Sequence, residues 1–201
     1  MNEVTQAYRA KADGLAEMLG TVVSPHDPDR SVVEPWAETV SGRILDVGAG
    51  TGRWTGHLAG LGHDVEGLEP VDRFVELARH AHPGVPFRHA SLADLVGAGE
   101  RWSGILAWYS LIHLRPDELP TALSTLRGVL DDGGSLLVSF FSGPRIEAFE
   151  HPAATAYRWP MRTMVRVLEG ARFEVIDQQW HPERLHASIT ARTSSGVHPP
   201  R

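Results

Sequence analysis

One run of residues indicates the architecture of this chain: Ile44-Leu45-Asp46-Val47-Gly48-Ala49-Gly50-Thr51-Gly52-Arg53-Trp54. Branched apolar residues around an aspartate lead into glycines at every second position. This pattern is typical of a buried parallel strand that meets a helix through a tight glycine loop. The free N–H groups and the dipole at the start of a helix favour an anionic group. The run therefore predicts a site for a nucleotide-like ligand or a carboxylate.

The three glycines of this run have separate predicted roles. Gly48 permits a sharp turn with positive φ, Gly50 lets the backbone approach a ligand without a Cβ in the way, and Gly52 starts the next helix. A dinucleotide fingerprint has glycines at its first, third and sixth positions, whereas the sixth position counted from Gly48 is Arg53. The spacing thus disfavours a dinucleotide cofactor.

The segment Leu45–Gly52 resembles the first motif of the class I S-adenosylmethionine-dependent methyltransferases. That motif is a hydrophobic pair, an acidic residue, a hydrophobic residue and Gly-x-Gly-x-Gly, and the resemblance extends over about residues 41–192. It implies S-adenosyl-L-methionine as the cofactor and S-adenosyl-L-homocysteine as the product. It also implies a seven-stranded sheet in which one edge strand is antiparallel.

Strand-like and helical runs alternate after Ser41, and the last two strands are too close for a helix between them. The predicted fold is α/β, a doubly wound, Rossmann-like, seven-stranded sheet that is mostly parallel, with an antiparallel C-terminal hairpin and N-terminal helices. The predicted strands are Arg43–Val47, Asp64–Leu68, Val85–His89, Ile105–Tyr109, Ser135–Phe141, Phe173–Gln179 and Leu185–Ala191. The predicted helices are Val4–Leu19, a second one with Ser31 and Glu34 as a capping box, Gly52–Leu61, Asp72–His80, Pro116–Leu130 and Met161–Gly170.

We expect a single methyltransferase domain over residues 1–192. Residues 1–41 would form an N-terminal helical cap and residues 42–192 a Rossmann-like core. The tail, residues 193–201, contains serines, a glycine and two prolines and is predicted to be disordered.

Ligands of open parallel sheets bind outside the carboxyl ends of the strands. Glu69 ends the second strand, 21 residues after Gly48, which is the expected distance for an acid that accepts hydrogen bonds from ribose hydroxyls. The alternative is an ordinary surface glutamate. The resemblance implies an adenine wall at Ser91 and Leu92, although the family usually has Asp where Ser91 stands. Asp94 is an alternative acceptor or a helix cap.

The resemblance implies roles for several further residues. Asp46 would organise the glycine loop, and Tyr8 would close over the methionine end unless it only packs in the core. Arg53, at the start of the first helix of the core, could pair with the methionine carboxylate, although the helix N–H groups can bind it alone. The full predicted cofactor-binding set is Tyr8, Asp46, Gly48, Ala49, Gly50, Thr51, Gly52, Arg53, Trp54, Glu69, Pro70, Ser91, Leu92, Trp108, Tyr109 and Ser110.

A catalytic residue is harder to predict. His113 is a weak candidate for a general base near neutral pH, and a structural histidine that orients a loop is an equal alternative. The long connection Ser142–Pro160 is predicted to form an acceptor pocket with the N-terminal helices, in which Arg145, Arg158 and Trp159 could hold an anionic or aromatic acceptor. A loop packed for stability is the other interpretation. No metal site is expected.

Composition narrows the partners and the location. A net charge of −6 with no basic block disfavours nucleic acid, and no apolar run approaches the ~20 residues that span a bilayer. The absence of cysteine excludes disulfides and thiolate metal sites. No secretory signal is visible, so we expect a cytoplasmic protein, and the near absence of lysine with abundant Ala and Gly favours a bacterial, high-GC source. The oligomeric state stays open, a homodimer included.

The sequence therefore predicts transfer of a methyl group to a small-molecule acceptor by in-line displacement. Three alternatives stay open: an NAD(P)-dependent oxidoreductase, a cofactor-binding module without catalysis, and a methyltransferase acting on a macromolecule such as a protein.

Overall fold

The computed structural model describes residues 3–193, in which nine strands form a single sheet. Five parallel strands lie in the order β3-β2-β1-β4-β5, the last strand β9 pairs antiparallel with β5, and β8 pairs antiparallel with β9. The bounds are β1 Ile44–Val47, β2 Val65–Glu69, β3 Phe87–His89, β4 Trp102–Ala107, β5 Leu130–Ser142, β6 Glu147–Phe149, β7 Ala156–Trp159, β8 Phe173–His181 and β9 His186–Thr193. This confirms a mostly parallel α/β sheet with antiparallel C-terminal strands.

Helices cover both faces of the sheet. The helices are α1 Glu3–Ala10, α2 Ala12–Leu19, α3 Arg30–Glu38, α4 Arg53–Gly60, α5 Asp72–Ala81, α6 Leu119–Val129 and α7 Met161–Gly170. One core layer joins Leu123 of α6 and Leu168 of α7 to Leu45 of β1. The opposite layer joins Val33 of α3 and Leu58 of α4 to the sheet. Alternate strand residues face these two layers, as a doubly wound sheet requires.

Two of the nine strands were not predicted. Strands β6 and β7 form an antiparallel hairpin inside the long connection, and β7 pairs in parallel with the end of β5. Strand β4 ends at Ala107, so Phe141 and Ser142 at the end of β5 extend beyond it. There β7 supplies the hydrogen bonds that β4 would otherwise have made.

Two other strand predictions need correction. Strand β4 begins earlier than predicted and stops before Trp108 and Tyr109, because Tyr109 has a positive φ of 55° that no strand accommodates. Strand β5 starts at Leu130, opposite Trp102, and passes through an irregular segment with Gly133 at φ 74° before regular pairing resumes. The glycine-containing segment between the predicted helix Pro116–Leu130 and the predicted strand Ser135–Phe141 is therefore a distortion within β5.

The N-terminal helix is broken, contrary to the prediction of one helix over Val4–Leu19. Lys11 separates α1 from α2, and its ammonium donates to the carbonyl oxygens of Pro152 (2.8 Å) and Ala153 (3.2 Å) in the β6–β7 connection. Helix α1 buries none of its residues. Its attachment therefore depends on side chains that reach other elements.

Helix α3 also differs from prediction, because no capping box forms. The helix starts at Arg30, which places Ser31 inside the first turn, and the Ser31 hydroxyl donates to the Pro28 carbonyl oxygen at 2.7 Å. Glu34 instead accepts hydrogen bonds from Arg30 and pairs with His57.

The predicted tail begins one residue too early. Thr193 is buried in β9, and its hydroxyl donates to the carbonyl oxygen of Asp131 at 2.8 Å. The rest of the predicted disordered tail lies outside the described residues. Among residues 3–193, no helix combines the length and the hydropathy needed to cross a membrane.

Candidate active site

The loop between β1 and α4 has a positive φ at all three of its glycines, whereas the sequence predicted one only at Gly48. Gly48, Gly50 and Gly52 have φ values of 70°, 56° and 80°. A Cβ on Gly48 would lie 2.5 Å from the Ser110 Cβ, and one on Gly52 would lie 2.7 Å from both Ala78 and Phe87. A Cβ on Gly50 would meet nothing within 4 Å. Thus two glycines allow close packing, and the third faces open space.

Asp46 lies beneath this loop. It is buried, and its carboxylate accepts a hydrogen bond from the Thr55 hydroxyl at 2.7 Å in the first turns of α4. Burial raises the pKa of Asp46 to about 6, although the hydrogen bonds from Thr55 oppose that rise. The side chain therefore ties the end of β1 to the start of α4, which fits the predicted role in organising the loop.

Glu69 ends β2 and faces the same loop. Its carboxylate accepts hydrogen bonds from the N–H groups of Gly50 (2.7 Å) and Val71 (2.8 Å). It is only 5% exposed, and burial raises its pKa to about 7, with a smaller contribution from the negative charge of Asp46. This is not the ordinary surface glutamate that the sequence left open as an alternative.

A cavity of about 480 Å³ lies above these carboxylates. Most of the predicted cofactor-binding residues line it, namely Tyr8, Asp46, Gly48, Ala49, Gly50, Thr51, Arg53, Trp54, Glu69, Pro70, Trp108, Tyr109 and Ser110. Its volume is in the range of pockets that hold small molecules and cofactors. The carboxyl ends of β1, β2 and β4 thus meet at one site, as the parallel sheet predicted.

Three predicted residues do not line this cavity. Gly52 packs against Ala78 and Phe87 instead. Ser91 and Leu92 lie at the start of a short 3₁₀ turn, where Asp94 accepts hydrogen bonds from the Ser91 N–H (2.8 Å) and hydroxyl (2.7 Å). Asp94 is therefore a cap, one of the two roles the sequence left open, and the Ser91 hydroxyl is already committed to it.

Arg53 lines the cavity but its charge is already paired. Its guanidinium bonds the Asp27 carboxylate in the loop before α3, and its buried Nε has no hydrogen-bond partner. Trp54 is buried against Trp108, edge to face, with ring centroids 6.2 Å apart. The predicted pairing of Arg53 with a ligand carboxylate would compete with Asp27, whereas the N–H groups at the start of α4 need no such exchange.

The segment after β4 is held in place by hydrogen bonds to distant parts of the chain. The indole Nε1 of Trp108 donates to the Asp29 carboxylate at 3.0 Å, and the Tyr109 N–H donates to the Ser139 hydroxyl at 2.7 Å. The Tyr109 hydroxyl bonds Nδ1 of His186 on β9. These bonds stabilise a positive φ at Tyr109 that is unfavourable for a residue with a side chain.

His113 is joined to two separate segments. Its Nδ1 lies 2.8 Å from the Thr155 carbonyl oxygen, and its Nε2 lies 2.8 Å from the Tyr8 hydroxyl. A carbonyl only accepts, so Nδ1 carries the proton and Nε2 accepts from Tyr8. Burial lowers the pKa of His113 and raises that of Tyr8 to about 12, so both are neutral at pH 7.

The predicted acceptor-pocket residues of the long connection lie elsewhere. Arg145 is 75% exposed and pairs with Glu147, Arg158 stacks over the Phe149 ring at 4.1 Å, and Trp159 is buried in the core. None of these three lines the cavity. They belong to or flank a packed hairpin, so the connection supplies the cavity with His151 alone.

Ten lining residues were not predicted. They are Val4, Thr5, Leu15, Met18, Leu19, Val71, Phe74, Ile112, Phe141 and His151. Phe141 could have been suggested by its position at the end of the fifth strand. The others come from helices or loops, where strand ends give no signal. The described residues contain no group of three or more His, Cys, Asp or Glu side chains arranged to hold a metal ion.

A family model described as a methyltransferase domain matches residues 44–134 of this chain. An uncharacterized methyltransferase of Staphylococcus carnosus is 28% identical over 51% of this chain and 48% of its own length. The chain thus spans about half of that relative. O-methyltransferase cnsE of Penicillium expansum is 28% identical over 97% of this chain and 80% of its own length.

A solved structure has the same fold. The chain superposes with a TM-score of 0.76 on the 1,6-didemethyltoxoflavin-N1-methyltransferase of Burkholderia thailandensis, at 22% identity, covering 95% of this chain and 87% of that one. That structure contains bound 1,6-didemethyltoxoflavin and S-adenosylhomocysteine.

Proposed function

We propose that this chain is a class I S-adenosylmethionine-dependent methyltransferase, which transfers a methyl group from S-adenosyl-L-methionine to a small-molecule acceptor; the methyltransferase-domain match, the methyltransferase relatives and the shared fold support this. S-Adenosyl-L-homocysteine would be the second product. The acceptor is the part that neither the motif nor the relatives identify.

The observation that carries this proposal is the relation of Gly50 to the cavity. A Cβ on Gly50 would enter open space within the loop, beside the buried carboxylate of Glu69. A nucleoside needs this combination, because its sugar hydroxyls donate to an acid while the backbone approaches closely. The residues present therefore fit the cofactor, with Glu69 at the ribose and the start of α4 at the carboxylate.

The remaining residues would position the acceptor and exclude water. The cofactor supplies a methyl group already activated by the sulfonium charge, so no nucleophilic side chain is required. Helices α1 and α2 contribute Tyr8, Leu15 and Met18 to the cavity wall. Alignment of reactants in a cavity sheltered from water is the main contribution that the protein makes.

A proton must leave the acceptor when its oxygen or nitrogen is methylated. We propose that the Tyr8–His113 pair receives it. The Tyr8 oxygen would take the proton from the acceptor while the Tyr8 proton moves to Nε2 of His113, which is 2.8 Å away and unprotonated. The bond from Nδ1 to Thr155 fixes the imidazole in the tautomer that this step needs.

The test is calorimetric titration of the purified chain with S-adenosyl-L-methionine, S-adenosyl-L-homocysteine and NADH. Micromolar binding of the two sulfur compounds without binding of NADH is expected. Binding of NADH alone would favour the oxidoreductase alternative, which the relatives do not support. Binding of S-adenosyl-L-methionine with no product from any acceptor would favour a non-catalytic module.

Several finer points stay predictions. The single-domain boundaries, a cytoplasmic location, a bacterial source and the oligomeric state are inferred from sequence alone. Size-exclusion chromatography with multi-angle light scattering would measure the oligomeric state of the purified 22.0 kDa chain.

A further inference from the structure

Six ring-bearing side chains form a continuous arc around the cavity. Successive ring centroids lie 5.1 Å apart for Tyr109–Phe141, 6.0 Å for Phe141–His151, 5.2 Å for His151–His113, 5.3 Å for His113–Tyr8 and 6.1 Å for Tyr8–Phe74. All six residues line the cavity. We call them the ring arc.

The ring arc is assembled from five separate parts of the chain. Tyr8 comes from α1, Phe74 from α5, Phe141 from β5 and His151 from the β6–β7 connection, while Tyr109 and His113 follow β4. All five pairs of neighbouring rings meet at interplanar angles of 43° to 77°, which are tilted or edge-to-face arrangements. Aromatic ligands are stabilised by walls of this kind through burial and ring–ring contact.

No unpaired positive charge lines the cavity. Among its described lining residues, Arg53 carries the only guanidinium or ammonium group, and that group bonds Asp27. Burial lowers the pKa of both His113 and His151, so neither imidazole supplies a positive charge at pH 7. A phosphate or carboxylate on the acceptor would therefore find no free cationic side chain in the cavity lining to pair with it, which makes its burial costly.

We propose that the acceptor is a neutral, flat aromatic compound with a phenolic hydroxyl, bound against the ring arc with its hydroxyl at Tyr8. This inference rests on the proposed function and names its substrate class. In the reaction the phenol oxygen forms a bond to the methyl carbon, and the bond from that carbon to sulfur breaks. The electron pair stays on sulfur as a neutral thioether, and the phenol proton passes through Tyr8 to Nε2 of His113.

A phenol suits this base better than an aliphatic alcohol. The hydroxyl of a phenol such as tyrosine has a pKa of about 10, whereas that of water is about 15.7, and simple alcohols are close to water. A neutral imidazole with a lowered pKa is a weak base. It can therefore assist removal of a phenolic proton far more readily than removal of an alcohol proton.

The experiment uses three probes built on the same fused two-ring carbon skeleton: 2-naphthol, which is flat and neutral, 2-naphthoic acid, which is flat and anionic, and decahydro-2-naphthol, which is neutral and not flat. Each is titrated by calorimetry into the full chain saturated with S-adenosyl-L-homocysteine, so that binding is measured without turnover. Incubation with S-adenosyl-L-methionine and mass spectrometry then reports methylation. We expect 2-naphthol to bind at least about 10-fold more tightly than the anionic and the saturated probes, and to be the probe that is methylated.

Two variants locate the binding to the ring arc. Phe141→Leu removes one ring of the arc and keeps an apolar side chain, and it should weaken 2-naphthol binding by about 5-fold. Phe149→Leu is the matched control, because the Phe149 ring contacts Phe141 at 5.2 Å from outside the cavity lining. It should leave the 2-naphthol affinity unchanged. Both variants should bind S-adenosyl-L-homocysteine as the parent does.

The outcomes separate this proposal from the one on which it rests. A folded chain that does not bind S-adenosyl-L-homocysteine overturns the proposed function and the phenol acceptor with it. Normal binding of S-adenosyl-L-homocysteine with no preference for 2-naphthol, or with preference for 2-naphthoic acid, overturns the phenol acceptor alone. Equal weakening in both phenylalanine variants also overturns it, since the ring arc would then not be the binding surface.

Discussion

Gly48, Gly50 and Gly52 all have positive φ, but they need the absence of a side chain for two different reasons. Gly48 is packed against Ser110, and Gly52 against α5 and β3, whereas Gly50 faces only the cavity. Substitutions at these positions therefore separate folding from ligand binding. The Gly-x-Gly-x-Gly motif therefore contains glycines needed for packing and a glycine predicted to be needed for ligand binding.

Gly50→Val should abolish binding of S-adenosyl-L-homocysteine while the chain stays folded. The valine side chain would occupy the open space at the loop. Gly62→Val is the matched control, since Gly62 has a φ of 94°, also meets nothing within 4 Å and does not line the cavity. Calorimetry and thermal unfolding of both variants check this. Unchanged affinity in Gly50→Val would falsify the loop assignment.

We expect Glu69, the proposed ribose ligand, to make cofactor binding depend on pH. Ribose hydroxyls would donate to the ionised carboxylate, and its pKa of about 7 in the free chain means that it is partly protonated at neutral pH. Binding should therefore release a proton and tighten as pH rises from about 6 to 8. Glu69→Gln should remove this dependence, and Glu69→Ala should weaken binding by about 1–3 kcal/mol.

The measurement is calorimetric titration with S-adenosyl-L-homocysteine at several pH values, in buffers of different ionisation enthalpy. Glu66→Gln serves as the control, because Glu66 pairs with Arg43 and Arg88 on the far side of β2 from the loop contacts of Glu69. An affinity independent of pH in the parent chain would show that Glu69 does not titrate at the site.

At the scale of elements, Gly52 joins the glycine loop to α4 and lets this junction pack against α5 and β3. Gly52→Ala should destabilise the fold by about 2–4 kcal/mol, because the new Cβ would overlap Ala78 and Phe87 and φ is 80°. Gly62→Ala has only the backbone cost, about 1 kcal/mol. Urea unfolding of both variants measures the difference. Similar losses in the two would show that α5 and β3 move aside.

Helix α1 is the second element with a testable property. It buries no residue, and it is held by the Tyr8–His113 bond and by an ion pair of Arg9 with Asp72 at 2.9 Å. Since it also lines the cavity, a bound cofactor adds the contacts that α1 lacks.

Amide hydrogen exchange should therefore be fast over residues 3–10 in the free chain and slower with S-adenosyl-L-homocysteine. Exchange in α7, over residues 161–170, should not change, because that helix packs with α6 in the core layer and none of its residues lines the cavity. Equal exchange in α1 with and without the ligand would mean that the helix does not respond to the site.

The elements that sequence predicted well are those with local signals. Helix α7 has the predicted bounds, and the β1–α4 junction follows from glycine spacing. The hairpin of β6 and β7 was missed because strands of three and four residues show no clear periodicity, and β7 exists through pairing with the distant end of β5. The early start of β5 likewise depends on pairing with β4. The glycines near residue 133 are unfavourable in a strand, so the sequence did not predict this part of β5.

In the site, too, the residues with a local sequence signal were predicted and those placed by the tertiary structure were not. Residues at strand ends were predicted because parallel topology brings all carboxyl ends to one edge. Phe74 and His151 were missed, since one lies on a helix and the other on an irregular connection. Ser91 does not line the cavity, and its hydroxyl donates to the neighbouring carboxylate of Asp94; its predicted contact with adenine stays a prediction.

For the whole molecule, two buried carboxyls set the pH dependence of stability. Burial raises the pKa of Asp46 to about 6 and of Glu69 to about 7, both above the values of unfolded chains. Each group then favours folding when protonated. Its contribution is full below about pH 4 and is lost as pH rises through its folded pKa, on the order of 3 kcal/mol per group.

Urea unfolding of the free chain at pH 5 and pH 8 tests this. Comparison with Glu69→Gln isolates one carboxyl from all other titrating groups, and the variant should lose less stability across this interval than the parent does. A variant with the same pH dependence as the parent would show that Glu69 is solvated in the free chain.

The position of the β6–β7 hairpin along the chain has an evolutionary consequence. The glycine loop, Asp46 and Glu69 lie within residues 44–134, the range that the methyltransferase-domain model matches, whereas the hairpin that carries His151 and holds His113 through Thr155 lies beyond it. The ring arc draws on both ranges, because Tyr109 and His113 lie inside the matched range and His151 outside it. A change of hairpin during evolution would therefore alter one part of the acceptor wall while the proposed nucleoside-binding residues stay in place.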